Sequence, residues 1–407
     1  MKFIENLEKN TMNAQQVISQ LYFGKTLSCS ELSERIDKSL PVTAKILGEL
    51  INEGYVIESG FAESTGGRRP LKYSLKPDIM YTVSVAMDQF VTSIAILNMH
   101  NENVTEIKRC ELPLANNDKA LETLAKEIDE YINASLIPKE KIAGIGIGMP
   151  GFVDAVKGVN YSHLQTKNAS INTYINRLTN LPVFIDNDSS VIALAELKFG
   201  SAGNSGNAMV INIGWGIGLG LVLNGKLFRG FNGFAGEFSH IPLFTNGKLC
   251  TCGKRGCLET ESSLQTVAEK AKEGLQKGRL SMLSRLQNEN LEQTTEIIIQ
   301  SAGSGDQFAV ELLSEAGYNI GRGVAILIHL LNPEKVILSG RGSLAGRIWQ
   351  APIQQALNEH CIPRLSASTE IVISSLGYQA EIIGAAALVM ENFEKKFNTG
   401  PMAELVR

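Results

Sequence analysis

The residues with the clearest chemical meaning are a histidine and three cysteines in the second half of the chain. They are His240, Cys250, Cys252 and Cys257. One imidazole nitrogen and three thiolates are the ligand types of a closed, four-coordinate zinc site. The CxCGxxGC spacing predicts a tight turn that brings the three sulfurs together, with the histidine upstream as the fourth ligand. We therefore predict a structural Zn²⁺; buried cysteines beside a hydrogen-bonded core histidine are the alternative.

Two carboxylates, Glu237 and Glu259, flank this metal pattern. A zinc ion that already has three sulfurs and one nitrogen does not need them as ligands. Folding of the stretch around a metal would nevertheless draw both side chains toward one place. Carboxylates that accept hydrogen bonds from several hydroxyls at once are typical of a sugar pocket.

Composition restricts the class of protein. A chain of 407 residues predicts two or three domains, and 44% hydrophobic with 20% charged residues is typical of a globular protein. No apolar run is long enough to span a bilayer, and the first residues are too polar for a signal peptide. Cys29, Cys110 and Cys361 are scattered, which favours a reducing compartment over a disulfide framework. We expect a cytoplasmic protein.

The first 79 residues have the pattern of a winged helix-turn-helix domain. Ser28 and Glu31 have the spacing of a capping box, and Gly54 marks the end of a later helix. The helices are predicted over residues 13–22, 31–36 and 41–53. Two short β-type runs, 55–58 and 71–75, enclose a turn-rich loop. In such a domain the second helix of the motif enters the major groove of double-stranded DNA and the wing follows the backbone.

Because the net charge is −4, attraction to DNA must come from a local patch. The candidate DNA contacts lie at the expected exposed start of the recognition helix and on the wing: Ser39, Thr43, Lys45, Arg68, Arg69 and Lys72. Gly66 and Gly67 in the wing favour close approach to a phosphate or a minor groove. A small helical cap with solvated charges is the alternative.

From residue 80 onward, strands alternate with helices twice over, which predicts an α/β fold of two related lobes with a cleft between them. We expect domains over residues 1–79, 80–200 and 201–407. Strands are predicted over 83–87, 92–97, 142–150, 182–185, 208–213, a run ending at 223, and 335–339. Helices are predicted over 121–132, 191–199, 264–274, 291–302, 307–315, 320–331 and 378–391.

These motifs together resemble the ROK family of repressors, open reading frames and sugar kinases, over residues 12–390. The resemblance is carried by GIGIGMPGFVD at 144–154, INIGWGIGLGLVLNGKL at 211–227, NPEKVILSGRG at 332–342, the DNDSS turn and the zinc stretch. It implies a winged helix-turn-helix followed by a two-lobed actin- and hexokinase-like (ribonuclease H-like) domain with a zinc knuckle. The N-terminal domain with STGGRRP is similar to the repressor branch.

The resemblance also implies roles for single residues. Family kinases use the aspartate of an Asn-Asp pair as general base on the sugar hydroxyl, and Asn187 and Asp188 match that pair. Sugar hydroxyls are held by this pair and by residues that match Glu237, His240 and Glu259. Zinc on one ring nitrogen of His240 would leave the other facing the sugar. An aspartate that merely caps the following helix is the alternative for Asp188.

The nucleotide side departs from the kinase pattern. The hairpin that normally carries two glycines reads Asp88-Gln89-Phe90-Val91-Thr92, and Trp215 replaces a threonine in the second phosphate loop. Gly340-Arg341 stands where a glycine pair is common, and Ser190 where an asparagine is. The sugar-side positions all match. The pattern favours a retained sugar ligand and a lost phosphoryl donor, so ATP and Mg²⁺ are not expected.

We therefore predict a sugar-responsive transcriptional repressor of carbohydrate metabolism. It would bind operator DNA as a homodimer or homotetramer and a sugar or sugar phosphate in the cleft between the lobes. The alternative is an ATP-dependent hexose or N-acetylhexosamine kinase with an added DNA-binding domain, with Asp188 as its catalytic base. Some repressors that resemble this chain are controlled by a protein partner from sugar transport, and the sequence leaves that alternative open.

Overall fold

The computed structural model of the chain describes residues 12–62, 69–166, 169–286 and 290–393. The chain divides into two compact units. One contains Met1–Asn187 together with Ile382–Arg407, and the other contains Asp188–Glu381. The domain limits expected at residues 79 and 200 stay predictions. Within the described ranges, no helix has both the length and the apolar character that crossing a bilayer requires.

The N-terminal part of the first unit contains three helices and a small sheet. The helices are α1 Met12–Gly24, α2 Cys29–Arg35 and α3 Leu40–Asn52. The strands are β1 Leu27–Ser28, β2 Val56–Phe61 and β3 Leu71–Leu75, which pair antiparallel in the order β1-β3-β2. The three helices and two of the strands match the expected positions. The sequence does not predict strand β1, because a strand of two residues has no periodic pattern.

The capping box predicted at the start of α2 is confirmed. The Ser28 hydroxyl accepts from the Glu31 backbone N–H at 3.2 Å, and the Glu31 carboxylate accepts from the Ser28 N–H at 2.7 Å. The same carboxylate oxygen lies 2.6 Å from Nζ of Lys72 on β3. The pairing with Lys72 is the main reason that the pKa of Glu31 falls to about 2, with the Ser28 N–H adding to the effect. One carboxylate thus joins a helix start to the sheet.

The rest of the first unit is a five-stranded mixed sheet with helices. Its strands are β4 Tyr81–Met87, β5 Val91–Asn98, β6 Lys108–Glu111, β7 Ile142–Met149 and β10 Val183–Asn187. A two-stranded hairpin, β8 Val153–Asp154 and β9 Val159–Asn160, follows β7, and the helices are α4 Ala120–Ala134 and α5 Ile171–Thr179. The turn after β5 contacts the N-terminal part, since the Tyr22 hydroxyl donates to Oδ1 of Asn101 at 2.5 Å.

The second unit contains another five-stranded mixed sheet. Its strands are β11 Ala208–Ile213, β12 Ile217–Leu223, β13 Lys226–Phe228, β14 Lys335–Ser339 and β15 Glu370–Ile373. Its helices are α6 Asp188–Phe199, α7 Glu259–Ser262, α8 Leu264–Gln276, α9 Leu291–Gly303, α10 Gln307–Leu331, α11 Gln350–His360 and α12 Pro363–Ser366. The long α10 replaces the two helices expected over 307–331. The final helix is α13 Ala380–Glu391, which continues into the first unit.

The two sheets have the same strand order. Taken in chain order within each unit, the first strand is central, the second and third continue antiparallel on one side, and the fourth and fifth lie parallel to it on the other. The observed orders are β10-β7-β4-β5-β6 and β13-β12-β11-β14-β15. This repetition confirms two related α/β lobes, and a continuous apolar core lies against each sheet.

Glycines allow helices to lie directly on both sheets. In the first unit, a Cβ on Gly146 of β7 would lie 1.9 Å from the Ala385 carbonyl oxygen of α13. In the second, a Cβ on Gly220 of β12 would lie 2.2 Å from the Ala193 Cβ of α6. Helix α6 is also fixed by the buried Glu196, whose carboxylate accepts from the Ser339 hydroxyl at 3.0 Å and from the Ser201 N–H at 3.0 Å. The residues at the start of α6 are therefore held firmly in place.

The Glu31–Lys72 pair predicts a pH-dependent contribution to stability. Because the pKa of Glu31 is lowered from 4.5 to about 2, the pair stabilises the fold above about pH 4.5, and this contribution is lost as the pH falls toward 2. Lys72→Met should destabilise α2 by at most about 1 kcal/mol at pH 7, since screening weakens an ion pair of this exposure, and by little at pH 2.5.

Hydrogen exchange of the amides of residues 29–35 measures this difference, with variant and wild type compared at the same pH. Lys45→Met is the matched control, because Lys45 pairs with Glu49 at 3.9 Å with both side chains largely exposed. If Lys72→Met destabilises α2 equally at both pH values, Lys72 stabilises the helix by packing of its aliphatic stem and not by its charge.

Candidate functional site

The structure brings together the four residues predicted as metal ligands. The ligand atoms of His240, Cys250, Cys252 and Cys257 all lie within 4.8 Å of one another. Sγ of Cys250 is 3.6 Å from Nδ1 of His240, and Sγ of Cys252 is 3.6 Å from Sγ of Cys257. Two ligands held about 2.3 Å from a tetrahedral zinc ion lie about 3.8 Å apart. The spacing of the donor atoms therefore fits zinc.

Burial of the thiols fits a metal site as well. Cys250 and Cys257 are buried, while Cys252 is exposed. Burial raises the pKa of Cys257 to about 12, whereas the backbone N–H of Lys254 lowers the pKa of Cys252. A buried thiolate is unfavourable unless a nearby cation compensates its charge. The cluster could hold a metal ion.

Glycine-containing turns of the segment 241–258 bring the cysteines together. The Cys250 N–H donates to the Lys254 carbonyl at 2.8 Å, and the Gly256 N–H donates to the Lys248 carbonyl at 3.0 Å. Gly256 has φ +77°, and a Cβ there would lie 2.0 Å from the Phe244 carbonyl oxygen. Only glycine fits this position, because a side chain would meet both an unfavourable φ and a backbone atom.

The long helix α10 anchors this segment. A Cβ on Gly323 would lie 2.7 Å from the Phe238 ring and 3.1 Å from the Leu258 side chain, so both residues pack directly on the helix backbone. Arg322 donates to the Leu243 carbonyl at 3.2 Å and lies over the Phe244 ring at 5.2 Å. Residues next to His240 and Glu259 are thus fixed to the core of the second unit.

His240 joins the sulfur cluster to the predicted sugar-binding carboxylates. While Nδ1 faces Cys250, Nε2 lies 3.7 Å from Oε2 of Glu237. Loss of hydration raises the pKa of the Glu237 carboxyl, His240 opposes this rise, and Glu259 adds to it. The three side chains are therefore close enough to influence one another's charge. A metal on Nδ1 would fix which ring nitrogen is presented to Glu237 and to a ligand.

Glu259 begins α7 and is positioned by the turn between β11 and β12. Its Oε2 accepts from the Ile217 N–H at 3.3 Å, and a Cβ on Gly216 would lie 2.4 Å from that oxygen. Glycine at 216 therefore makes room for the carboxylate. Loss of hydration raises the pKa of Glu259, while the Ile217 N–H and His240 act against it.

Asp188 approaches the same β11–β12 hairpin from the start of α6. Its Oδ2 lies 3.4 Å from Nδ2 of Asn212, whose partner across the hairpin is Gly218. Its Oδ1 accepts from the Ser189 N–H at 2.8 Å. In the first unit, Nδ2 of Asn187 donates to the Gly151 carbonyl at 3.1 Å at the end of β10. In the second unit, Asp188 and Glu259 thus border one turn with Glu237 and His240 beside it.

Side chains contact both turns that the resemblance to family kinases matches to phosphate loops. In the first unit, the Asp88 carboxylate accepts from the N–H groups of Phe90 and Val91, each at 2.7 Å. In the second unit, the guanidinium of Arg341 lies over the Trp215 ring at 4.5 Å and over the Tyr378 ring at 4.7 Å. Arg341 also pairs with Glu292. Two departures from the kinase pattern, Trp215 and Arg341, therefore stack on each other.

The later glycines of the predicted phosphate loop serve packing. A Cβ on Gly218 would lie 1.8 Å from the Ser189 hydroxyl, and one on Gly220 would meet Ala193. These glycines allow α6 to lie on β12, so their presence does not indicate a nucleotide. Gly214 is different, since the nearest atom to its Cβ would be 3.7 Å away.

The predicted DNA contacts have different surroundings. Ser39 is exposed as the N-cap of α3 and makes no side-chain capping hydrogen bond. Lys45 and Arg69 are exposed, and Arg68 lies outside the described residues. The expected exposure of Thr43 is wrong, because its side chain is fully buried and its hydroxyl donates to the Ser39 carbonyl at 3.1 Å. Lys72 pairs with Glu31.

Several residues that shape the site carry no signal in the sequence. Asn212 and the Ile217 N–H position two carboxylates, and Glu292 and Tyr378 hold Arg341 between the rings. Asn212 and Ile217 lie inside an apolar strand pattern. Glu292 and Tyr378 are distant from Arg341 along the chain. Only the fold brings these groups together.

The sequence profile of the ROK family matches residues 84–392. The chain belongs to the ROK family. It is 29% identical to the xylose repressor of Caldicellulosiruptor bescii over 94% of this chain and 96% of that protein. It is 33% identical to the glucokinase of Halalkalibacterium halodurans over 68% of this chain and 85% of that protein. The crystal structure of a ROK family transcriptional regulator, a homologue of the E. coli MLC protein, superimposes with a TM-score of 0.75 at 28% identity, covering 95% and 97% of the two chains.

Cys252→Ser should remove one ligand from the cluster. We expect lower zinc content by elemental analysis and a lower melting temperature, because a lost thiolate weakens both the site and the segment that it closes. Cys110→Ser is the control, since Cys110 lies in the first unit on β6, where its thiol contacts the Thr92 carbonyl. Metal content and melting temperature of Cys252→Ser that equal those of the control variant would show that the cysteines are not ligands.

Proposed function

We propose that this chain is a sugar-responsive transcriptional repressor. The observation that carries the proposal is alignment coverage: a xylose repressor aligns over 94% of the chain, whereas a glucokinase aligns over 68%. A repressor therefore accounts for nearly the whole chain. The structure of a transcriptional regulator likewise covers 95% of it.

The ligand site in this proposal is the group of polar side chains around the β11–β12 turn of the second unit. Asp188, Glu237 and Glu259 offer carboxylate oxygens that accept from sugar hydroxyls, and His240 offers a ring nitrogen that can donate or accept. Loss of hydration at Glu237 and Glu259 strengthens hydrogen bonds formed there. The ligand is a sugar or a sugar phosphate.

Zinc has an orienting role in this proposal. The ion would be held by Nδ1 of His240 and by Cys250, Cys252 and Cys257. It would fix the tautomer of His240, so that Nε2 is presented to Glu237 and to the ligand in one protonation state. Metal loss would then weaken ligand binding without removing any atom that contacts the ligand.

The side chains at the two turns matched to phosphate loops favour a repressor over a kinase. In the first unit, the side chains of Gln89, Phe90 and Val91 stand where the kinase pattern has small residues, and the Asp88 carboxylate accepts from the N–H groups of Phe90 and Val91. In the second unit, Arg341 is held between Trp215 and Tyr378 by Glu292. A nucleotide at the position that the resemblance to family kinases implies for Gly340-Arg341 would meet the Arg341 side chain. Asp188 is retained, so a test for kinase activity belongs with the test for ligand binding.

The N-terminal helices and sheet serve as a winged helix-turn-helix in this proposal, with α3 as the recognition helix. Ser39, Lys45 and Arg69 are the proposed exposed contacts on this surface. Operator DNA with two half-sites would be bound by a homodimer or a homotetramer. The sugar releases DNA if it binds the DNA-free form more tightly than the DNA-bound form.

A thermal-shift panel tests the ligand site. Free sugars, amino sugars and their 6-phosphates are each added with and without Mg-ATP. We expect one sugar class to stabilise the protein independently of ATP, by about 2.7 kcal/mol at a concentration 100 times the Kd. Glu259→Gln should weaken that ligand by about tenfold or more, because a charged acceptor is lost. Glu269→Gln, an exposed change on α8, is the control.

Two outcomes would contradict this proposal. Stabilisation by no sugar, with no change in DNA binding, would exclude the ligand site. ADP release with any hexose or N-acetylhexosamine, abolished by Asp188→Asn, would show that the chain is a kinase.

Arg69→Ala tests the DNA surface. An arginine that contacts phosphate binds all sequences alike, so the variant should weaken binding to specific and non-specific duplexes equally and reduce the salt slope by about 1. Arg279→Ala, which removes an exposed arginine of the second unit paired with Glu311, is the control. A change in sequence preference with an unchanged salt slope would place Arg69 on a base edge instead.

A further inference from the structure

The exposed side chains in the first turn of α3 are apolar, where a recognition helix usually carries hydrogen-bonding side chains. Leu40 is 53% exposed and Val42 is 43% exposed, and Pro41 and Ala44 are exposed as well. The opposite face, formed by Thr43, Ile46, Leu47 and Leu50, is buried in the core. About half of the surface of Leu40 and of Val42 is therefore open to another molecule.

Few exposed groups of α3 could form hydrogen bonds with bases. Among the described residues 40–49, the exposed side chains with polar atoms are Lys45 and Glu49, and these two lie 3.9 Å apart as an ion pair. The first turn has no arginine, asparagine or glutamine, the residues that read guanine and adenine by paired hydrogen bonds. Apart from the exposed hydroxyl of the N-cap Ser39, direct readout of bases by this turn is left to apolar contacts in the groove.

The methyl group of thymine is the apolar feature that the major groove offers. We propose that Leu40, Val42 and Ala44 read the operator through thymine methyl groups. The inference rests on the proposed function, since it assumes that α3 enters the major groove. It assigns to the first turn of α3 a preference for thymine, and to Lys45 a contact with the phosphate backbone.

Two exposed lysines beside this turn supply positive charge for the phosphates of duplex DNA, and the exposed carboxylates of Glu34, Asp37 and Glu49 lie nearby in the chain. Lys38 precedes the face and Lys45 follows its first turn, and both are exposed. The N-cap Ser39 makes no side-chain capping hydrogen bond, so the positive end of a helix of 13 residues faces outward. Phosphates at the groove edge would meet these groups while the apolar side chains reach the bases.

Gly48 supplies a second observation. It lies on α3 seven residues after Pro41 and three after Lys45, hence on the same face of the helix. A Cβ at this position would meet no atom within 4 Å. Glycine in a helix interior is destabilising relative to alanine, and no packing contact within the described chain requires it here. Close approach of another molecule to the helix backbone explains it.

The test uses a duplex that the full-length wild-type protein selects from a random pool. The same duplex is then made with deoxyuridine in place of thymidine, which removes only the methyl groups. Affinity is measured by fluorescence anisotropy at one salt concentration. We expect it to fall about fourfold for each methyl group that the protein contacts. Val42→Ala should lose affinity for the thymidine duplex and lose little further affinity for the deoxyuridine duplex. Lys45→Ala should lose the same factor on both.

Gly48→Ala provides a readout that a structural role would not give. The variant should raise the melting temperature, because alanine favours helix, and should weaken binding to both duplexes. A deoxyuridine duplex bound as tightly as the thymidine duplex would overturn the inference and leave DNA binding intact. Failure to enrich any duplex from the pool would overturn the proposed function and the inference with it.

Discussion

The position of His240 is the constraint on which the candidate site depends. One ring nitrogen faces a cysteine sulfur at 3.6 Å and the other faces a glutamate carboxylate at 3.7 Å. An imidazole that donates on one side must accept on the other unless it is protonated, so the state of the sulfur cluster decides what the carboxylate side presents. The glycine turns and the contacts of Phe238 and Leu258 with α10 keep this geometry in place.

Because the two sheets have the same strand order, the two units have equivalent turns, and different side chains contact them. In each unit a turn joins the first two strands of the sheet, and side chains of the same unit contact that turn. Asp88 closes one turn with two hydrogen bonds to the backbone, and Arg341 stacks on Trp215 at the other. The second turn nevertheless positions Glu259 and lies beside Asp188. Two carboxylates thus lie at a hairpin whose turn also contains the Trp215 ring on which Arg341 stacks.

The two faces of α3 illustrate how function and stability are divided within one helix. Thr43, Ile46, Leu47 and Leu50 fix the helix to the core, which leaves Leu40, Val42 and Lys45 to solvent or to a partner. The buried threonine satisfies its hydroxyl within its own helix, so its burial costs little. Glu31 and Lys72 have a similar structural role at the helix before it. Lys72 is therefore engaged by a carboxylate of the same unit.

The sequence alone determined the histidine and cysteines of the candidate metal cluster, the capping box at Ser28, the paired α/β lobes and most helices and strands. Local spacing and apolar periodicity carry those features, because they depend on neighbours in the chain. It could not determine that Thr43 is buried, that Lys72 is held by Glu31, or that Arg341 lies between Trp215 and Tyr378. Those facts depend on residues that are distant in sequence and meet only in the packed structure. Side-chain exposure and partner choice are therefore decided by tertiary structure.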